Sequence, residues 1–199
     1  MTIAFETFMK QYKMIGSEKA DGYSQDAFTG LDDHEKETVF KLLVTELPWS
    51  VEWLFFLDPA RALVVTKELE EKLRSDSYAD VYMLQQKLVK YSGDLLYQKH
   101  MIEDYANYDD DSKPLVVDAI HRTPANEATI KFFKQIVLTE VNASAVARAS
   151  RHLLDAVRIA RVTKSDEINY DRLVNELRSE STQVKMQAIA KIEKYEIDV

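Results

Sequence analysis

The chain has 199 residues, of which 46% are hydrophobic and 30% charged, with a formal net charge of −8 and no cysteine. It is long enough to bury a substantial core as one large domain, and its composition is globular rather than disordered. Without cysteine it has neither a disulfide framework nor thiolate chemistry, which fits a reducing compartment. The charge is unevenly spread: residues 1–112 carry 12 Lys/Arg against 22 Asp/Glu, and residues 113–199 carry 14 against 12. A field of that sign repels phosphate backbones and attracts basic surfaces.

The opening stretch "MTIAFETFMKQYKMIG" contains Glu6 and alternates with polar residues, unlike a secretory signal. Ile3, Phe5, Phe8, Met9 and Tyr12 follow helical spacing and predict a first helix over roughly 2–15. The longest aperiodic connection follows, "GSEKADGYSQDAFTG" at 16–30, and connections of that length are often functional. Asp32 and Glu35 form a capping box ahead of "TVFKLLVTEL", whose stripe runs through Val39, Leu42, Leu43 and Leu47. Pro48 ends that helix. "WSVEWLFFL" is next, with Ser50 as its N-cap. Trp49, Trp53 and Phe56 stand at i, i+4 and i+7, a core stripe or, at a rim, a hot spot for protein binding.

Asp58 and Pro59 supply the N-cap and first position of another helix, which runs to about "RSDS". A further helix begins near Tyr78 and stops at Gly93. "DLLYQKHMIEDYANY" continues the helical pattern, and "DDDSKP" at 109–114 is an acidic turn. "PLVVDAIHR" is a short helix, and Thr123-Pro124 is expected to cap "ANEATIKFFKQIVLTE". Asn142 is expected to cap one long basic helix, "ASAVARASRHLLDAVRIARVT". Ser165 or Asp166 starts "EINYDRLVNELR", and "TQVKMQAIAKIEKY" closes the pattern. The most apolar run, "VEWLFFLDPARALVV", contains Glu52, Asp58 and Arg61, and is too short and too charged to span a bilayer. The expectation is an all-α fold of about ten helices, residues 1–199 as a single all-helical domain, cytoplasmic and without a membrane partner. Only four Gly and four Pro break the pattern.

"LRSDS" at 73–77 returns as "LRSES" at 177–181. Without gaps, 69–91 lies over 173–195 with eight of 23 positions identical. Each copy has the form helix end, polar turn, helix start, with Ser77 and Ser181 where N-caps belong. A stack of antiparallel helical hairpins meets the same reversal repeatedly and can repeat its solution. With Leu57, Asp58, Pro59, Arg61 and Ala62 leading an apolar helix, and "STQVKMQAIAKIEKY" matching a first repeat helix, the chain resembles HEAT-like helical repeat proteins. It departs from them in its variable helix lengths, in Leu57 at the usual glycine and in the aromatic "PWSVEWLFFL". An irregular helical bundle therefore stays open beside the solenoid.

No catalytic motif is visible. There is no nucleophile elbow and no phosphate-binding glycine loop. His34, His100, His121 and His152 all fall in amphipathic stretches. His100, Glu103 and Asp104 share a segment, and Asp118 and His121 are one acid-x-x-His pair. A carboxylate-bridged metal bundle needs more of both, so no metal and no cofactor is expected. Arg148, Arg151 and Arg158 share a helical face within about a quarter turn. That face could contact nucleic acid, but in an acidic chain it is expected to form ion pairs with its neighbours, and nucleic acid is not expected as a partner.

Tyrosines interleaved with carboxylates suit recognition of a basic protein. The expected contact set is Tyr23, Asp26, Asp32 and Asp33, with Glu103, Asp104, Tyr105, Tyr108, Asp109, Asp110 and Asp111. Small, acidic, cysteine-free helical chains of this kind resemble the immunity proteins of bacterial polymorphic toxin systems. That resemblance implies a non-catalytic inhibitor that blocks a basic toxin domain. The alternatives are a HEAT-like nucleic-acid glycosylase using the arginine face and a general scaffold or adaptor.

Overall fold

The structure, a computed structural model, describes residues 1–16, 19, 22–76 and 80–196. Among them are 11 α-helices and no strand, so the fold is all-α. The chain packs as two compact units, Met1–Ser92 and Gly93–Val199.

The amino-terminal unit holds α1 (Ile3–Tyr12), a 3₁₀ turn (Gln25–Ala27), α2 (Asp33–Thr45), α3 (Val51–Leu57), α4 (Pro59–Asp76) and α5 (Val81–Ser92). Its first two helices are tied at their starts. Thr2 caps α1 by accepting from the Phe5 N–H at 3.2 Å, and Asp32 caps α2 in a reciprocal box with Glu35. Glu35 also accepts from the Thr2 N–H and hydroxyl, each at 2.7 Å. Burial would raise the Glu35 pKa, but the Thr2 and Asp32 bonds outweigh it and hold the carboxyl below its ordinary range. α3 packs against α2, α4 and α5, and α4 against α5. Val39, Leu43, Leu54, Phe55, Leu84 and Leu88 are buried between them. The 16–30 connection is not a bare loop. Its 3₁₀ turn packs on α1, and Tyr23, Ala27 and Phe28 are buried.

The carboxy-terminal unit holds α6 (Leu96–Asp104), a 3₁₀ turn (Tyr105–Asn107), α7 (Lys113–His121), α8 (Glu127–Thr139), α9 (Ala143–Ala156), α10 (Lys164–Leu177) and α11 (Thr182–Glu196). α9 is its centre and touches α7, α8 and α10. Its buried face reads Ala145, Val146, Ala149, Ser150, Leu153 and Leu154. The small residues let neighbouring helices approach closely, and Leu153 and Leu154 are fully buried near the end of the helix.

Several expected boundaries move. The helix predicted over 143–163 stops at Ala156. Arg158 takes the left-handed conformation (φ 57), its N–H bonds Asp155 O, and the Ile159 N–H bonds Leu154 O. This is a Schellman stop with arginine where glycine is usual, so composition alone does not announce it. α8 is capped by Asn126, which accepts from the Thr129 N–H at 3.1 Å, not by Thr123-Pro124. α10 is capped by Thr163, with Asp166 as the returning partner of the box. Ser50 precedes α3 but donates its hydroxyl to Leu43 O instead of capping. Of the repeated junctions, Ser77 lies outside the described residues. Ser181 accepts from the Val184 N–H at 3.4 Å. The helices flanking each junction, α4 with α5 and α10 with α11, pack on one another.

Candidate functional site

In the amino-terminal unit, α1, the 3₁₀ turn and α3 bring together a sheet of rings. Phe8 stacks on Tyr23 at 5.1 Å, and Phe28 stacks on Trp53 at 4.7 Å with planes 5° apart. Phe56 meets Phe28 and Trp53 edge-on, both at 5.9 Å. Each such pair contributes about 0.5–1.5 kcal/mol beyond the area it buries. The outer edge is uncovered: Trp49 is 70% exposed and Phe56 46%. Beside them lies a groove of about 650 Å³ lined by Lys19, Tyr23, Glu46, Trp49 and Trp53 among others. Its polar end is self-satisfied. Tyr23 donates to Glu46, Lys19 pairs with Glu46 at 2.7 Å, and the Lys19 ammonium stands 4.7 Å over the Tyr23 ring. Burial, then the Glu46 bond, pushes the Tyr23 hydroxyl far above its ordinary pKa.

Tyr23 is therefore part of the groove wall, while Asp26, Asp32 and Asp33 are exposed. Asp32 spends one oxygen on its cap, and Asp33 has Lys36 at 3.6 Å. Glu52, exposed beside Trp53, pairs with Lys87. The anticipated stripe of Trp49, Trp53 and Phe56 lies at the rim of this unit. Trp49 precedes α3 and turns outward, Trp53 is half-buried, and Phe56 is at the exposed end.

The remaining expected contact residues belong to the carboxy-terminal unit and serve its packing more than its surface. Asp104, Tyr105 and Tyr108 are buried, while Glu103, Asp109, Asp110 and Asp111 are exposed. Burying both tyrosines corrects the picture of rings displayed to a partner: a tyrosine next to a carboxylate can satisfy its hydroxyl internally. Tyr105 donates to Glu140 at 3.0 Å and meets Phe132 edge-on at 5.2 Å. Glu140 also accepts from the Val141 and Asn142 N–H groups and has Lys113 at 3.6 Å. Burial works to raise the Glu140 pKa, but these donors prevail and hold it below its ordinary value. The acidic turn is stitched into the start of α7. Asp109 accepts from the Ser112 N–H at 2.7 Å, and Asp110 has Lys113 at 3.2 Å.

α7 and α9 form a second constellation. His121 and His152 stack in parallel, with centroids 3.8 Å apart and planes 9° apart. Asp118 stands 2.8 Å from His152 Nε2 and pairs through its other oxygen with Arg148. Asp155 accepts from the Tyr170 hydroxyl at 2.9 Å. Burial, then Asp155, pushes that phenol up to about 12. Burial and the neighbouring His152 lower the His121 pKa. His121, His152 and Asp155 offer donor atoms that all lie within 4.8 Å of one another.

Sequence spacing suggested Asp118 with His121; the fold instead places Asp118 on His152, one helix away. The signal that could have pointed here is His152 with Asp155, three apart on α9. The arginine face dissolves in the same neighbourhood: Arg148 is engaged by Asp118, and Arg158 lies beyond the end of α9. No helix among the described residues is long and apolar enough to cross a membrane. No protein-family model, no curated protein and no solved structure matches this chain.

Proposed function

We propose that this protein is a non-catalytic binding module whose contact face is the aromatic rim of the amino-terminal unit, and that its partner is a basic protein. The observation that carries the reading is Trp49, 70% exposed beside a groove of about 650 Å³ walled by Tyr23 and Trp53, each stacked on another ring. An exposed tryptophan has only two side-chain torsions to fix on binding and much area to bury, which is the profile of an interface anchor. Charge supplies the partner's chemistry. Residues 1–92 carry 11 Lys/Arg against 16 Asp/Glu, and Asp26, Asp32, Asp33 and Glu52 are exposed in that unit. A cationic surface is attracted to such a face and steered toward it.

Within that class we favour an inhibitor of the immunity type, which would cover the cationic cleft of a toxin domain. The support is the resemblance in size, acidity and helical make-up. The test is affinity capture from the native host with the full chain, followed by titration of the purified partner at several salt concentrations. The expected partner is basic and is encoded next to this chain. Association slows as salt rises, and Trp49→Ala weakens binding about tenfold or more, as loss of a buried aromatic anchor does. A partner that is acidic, or one bound equally by Trp49→Ala, would overturn the reading. Retardation of DNA at low salt would favour the nucleic-acid alternative.

A further inference from the structure

We infer that His121, His152 and Asp155 form a binding site for a divalent transition-metal ion in the carboxy-terminal unit, bridging α7 and α9. Three observations carry it, and none depends on the aromatic rim.

The first is an orphaned lone pair. His152 is mostly enclosed, with 16% of its side chain exposed, and its Nε2 is engaged by Asp118 at 2.8 Å. A carboxylate acceptor there places the proton on Nε2 and leaves Nδ1 as an unprotonated donor to a metal. That Nδ1 is buried and has no hydrogen-bond partner. A buried polar atom without a partner costs free energy unless something binds it.

The second is the outer shell. Metal-binding imidazoles characteristically give their other nitrogen to a carboxylate, which fixes the ring and raises its basicity. Asp118 does this for His152 and is itself held by Arg148. Tyr170 orients Asp155 in the same way. His152 is thus aimed before any ion arrives, and Asp155 has one oxygen held by Tyr170.

The third is the donor set and its reach. Two imidazoles and one carboxylate suit zinc and its neighbours and are a poor match to calcium or magnesium, which take oxygen. One ring nitrogen of each histidine and a carboxylate oxygen of Asp155 lie within 4.8 Å of one another, whereas bonds of about 2.0–2.2 Å in a tetrahedral site set ligand atoms roughly 3.3 Å apart. The rings lie in parallel, so their lone pairs run side by side. Sharing an ion requires His121 to tilt off the stack and Asp155 to swing inward. His121 is only partly buried and Asp155 is exposed, so side-chain rotation meets that need. Because Arg148 neutralises Asp118, Asp155 is the one uncompensated carboxylate among these groups, and imidazole nitrogen supplies the selectivity. Three protein ligands leave a fourth position open to water.

The test uses the full chain without a polyhistidine tag, freed of metal by chelator dialysis. Zinc chloride is titrated calorimetrically, and cobalt(II) is followed by its visible absorption. The expected result is one ion per chain, with a melting temperature that rises with zinc concentration and tetrahedral cobalt bands. His121→Ala and Asp155→Asn should each weaken binding about tenfold or more and abolish those bands, with unchanged helical circular dichroism. Asp118→Asn should weaken binding about tenfold, acting through His152. His34→Ala, on the exposed start of α2, should bind as the parent does. Absence of saturable binding overturns the inference, and so does His121→Ala binding as tightly as the parent. Because His121 is partly exposed, that variant keeps the test decisive even where His152→Ala does not fold.

Discussion

The rim of the amino-terminal unit and the α7–α9 seam of the carboxy-terminal unit use their polar and aromatic side chains in opposite ways. At the rim, rings satisfy one another from below and leave Trp49 and Phe56 uncovered above. At the seam, Asp118 is spent on both Arg148 and His152, and at the end of α8 Glu140 is spent likewise on Tyr105 and two backbone N–H groups. What a residue can offer to a partner is decided by what already stands next to it. An exposed aromatic has unspent area, whereas a tyrosine with a carboxylate inside the fold has spent its hydroxyl.

The contrast can be broken at its strongest point by removing the floor of the rim. Phe8 is fully buried against Tyr12, Tyr23 and Phe28. Phe8→Ala is expected to cost about 3–5 kcal/mol, measured by chemical denaturation, as large-to-small core changes do. A cost near zero would mean that the rings are not a packed floor.

At the seam, Asp118→Ala strands the His152 N–H and Arg148 together. The expected loss is about 1–3 kcal/mol, kept moderate because Arg148 is 40% exposed and partly rehydrates. A double-mutant cycle with Arg148→Ala should show coupling. Simple additivity would show that the pair is only geometric.

A pH comparison sharpens the difference further. The folded state holds the Glu140 carboxyl below its ordinary value. A depressed carboxyl contributes stability that is present above the unfolded value and lost as pH falls through the folded one. The stability advantage of the parent over Glu140→Gln should therefore be full near neutrality and shrink as the solution is acidified below about pH 4.5. An advantage that grows on acidification would reverse the assignment. The smallest effect is expected at Trp49. Its exposure predicts that Trp49→Ala changes stability by no more than about 0.5 kcal/mol, while partner affinity falls. A large stability loss would move Trp49 from the contact face into the core.

Much of the local structure was legible. The Asp32–Glu35 box, the Asn142 cap and the Asp58-Pro59 start are short-range signals, each resting on one side chain and a backbone group three residues or fewer away. The stop at Arg158 was not, because the left-handed turn is held by the buried Ile159 and by bonds back to Asp155 and Leu154, with no glycine to mark it. For the sites, the acidic and aromatic stretches could be located but not their orientation. Tyr105 and Tyr108 look like Trp49 to a reader of composition, and packing sends them opposite ways.

By itself the sequence determined an all-α chain, because helical periodicity and caps act over a few residues and need no partner. It also determined the sign and unevenness of the charge. Only the tertiary structure decided which aromatics face outward, which acids are consumed by neighbours, and that His121 and His152 stack. Those outcomes depend on atoms far apart in the chain being brought within a few ångströms, a distance that spacing along one helix cannot encode.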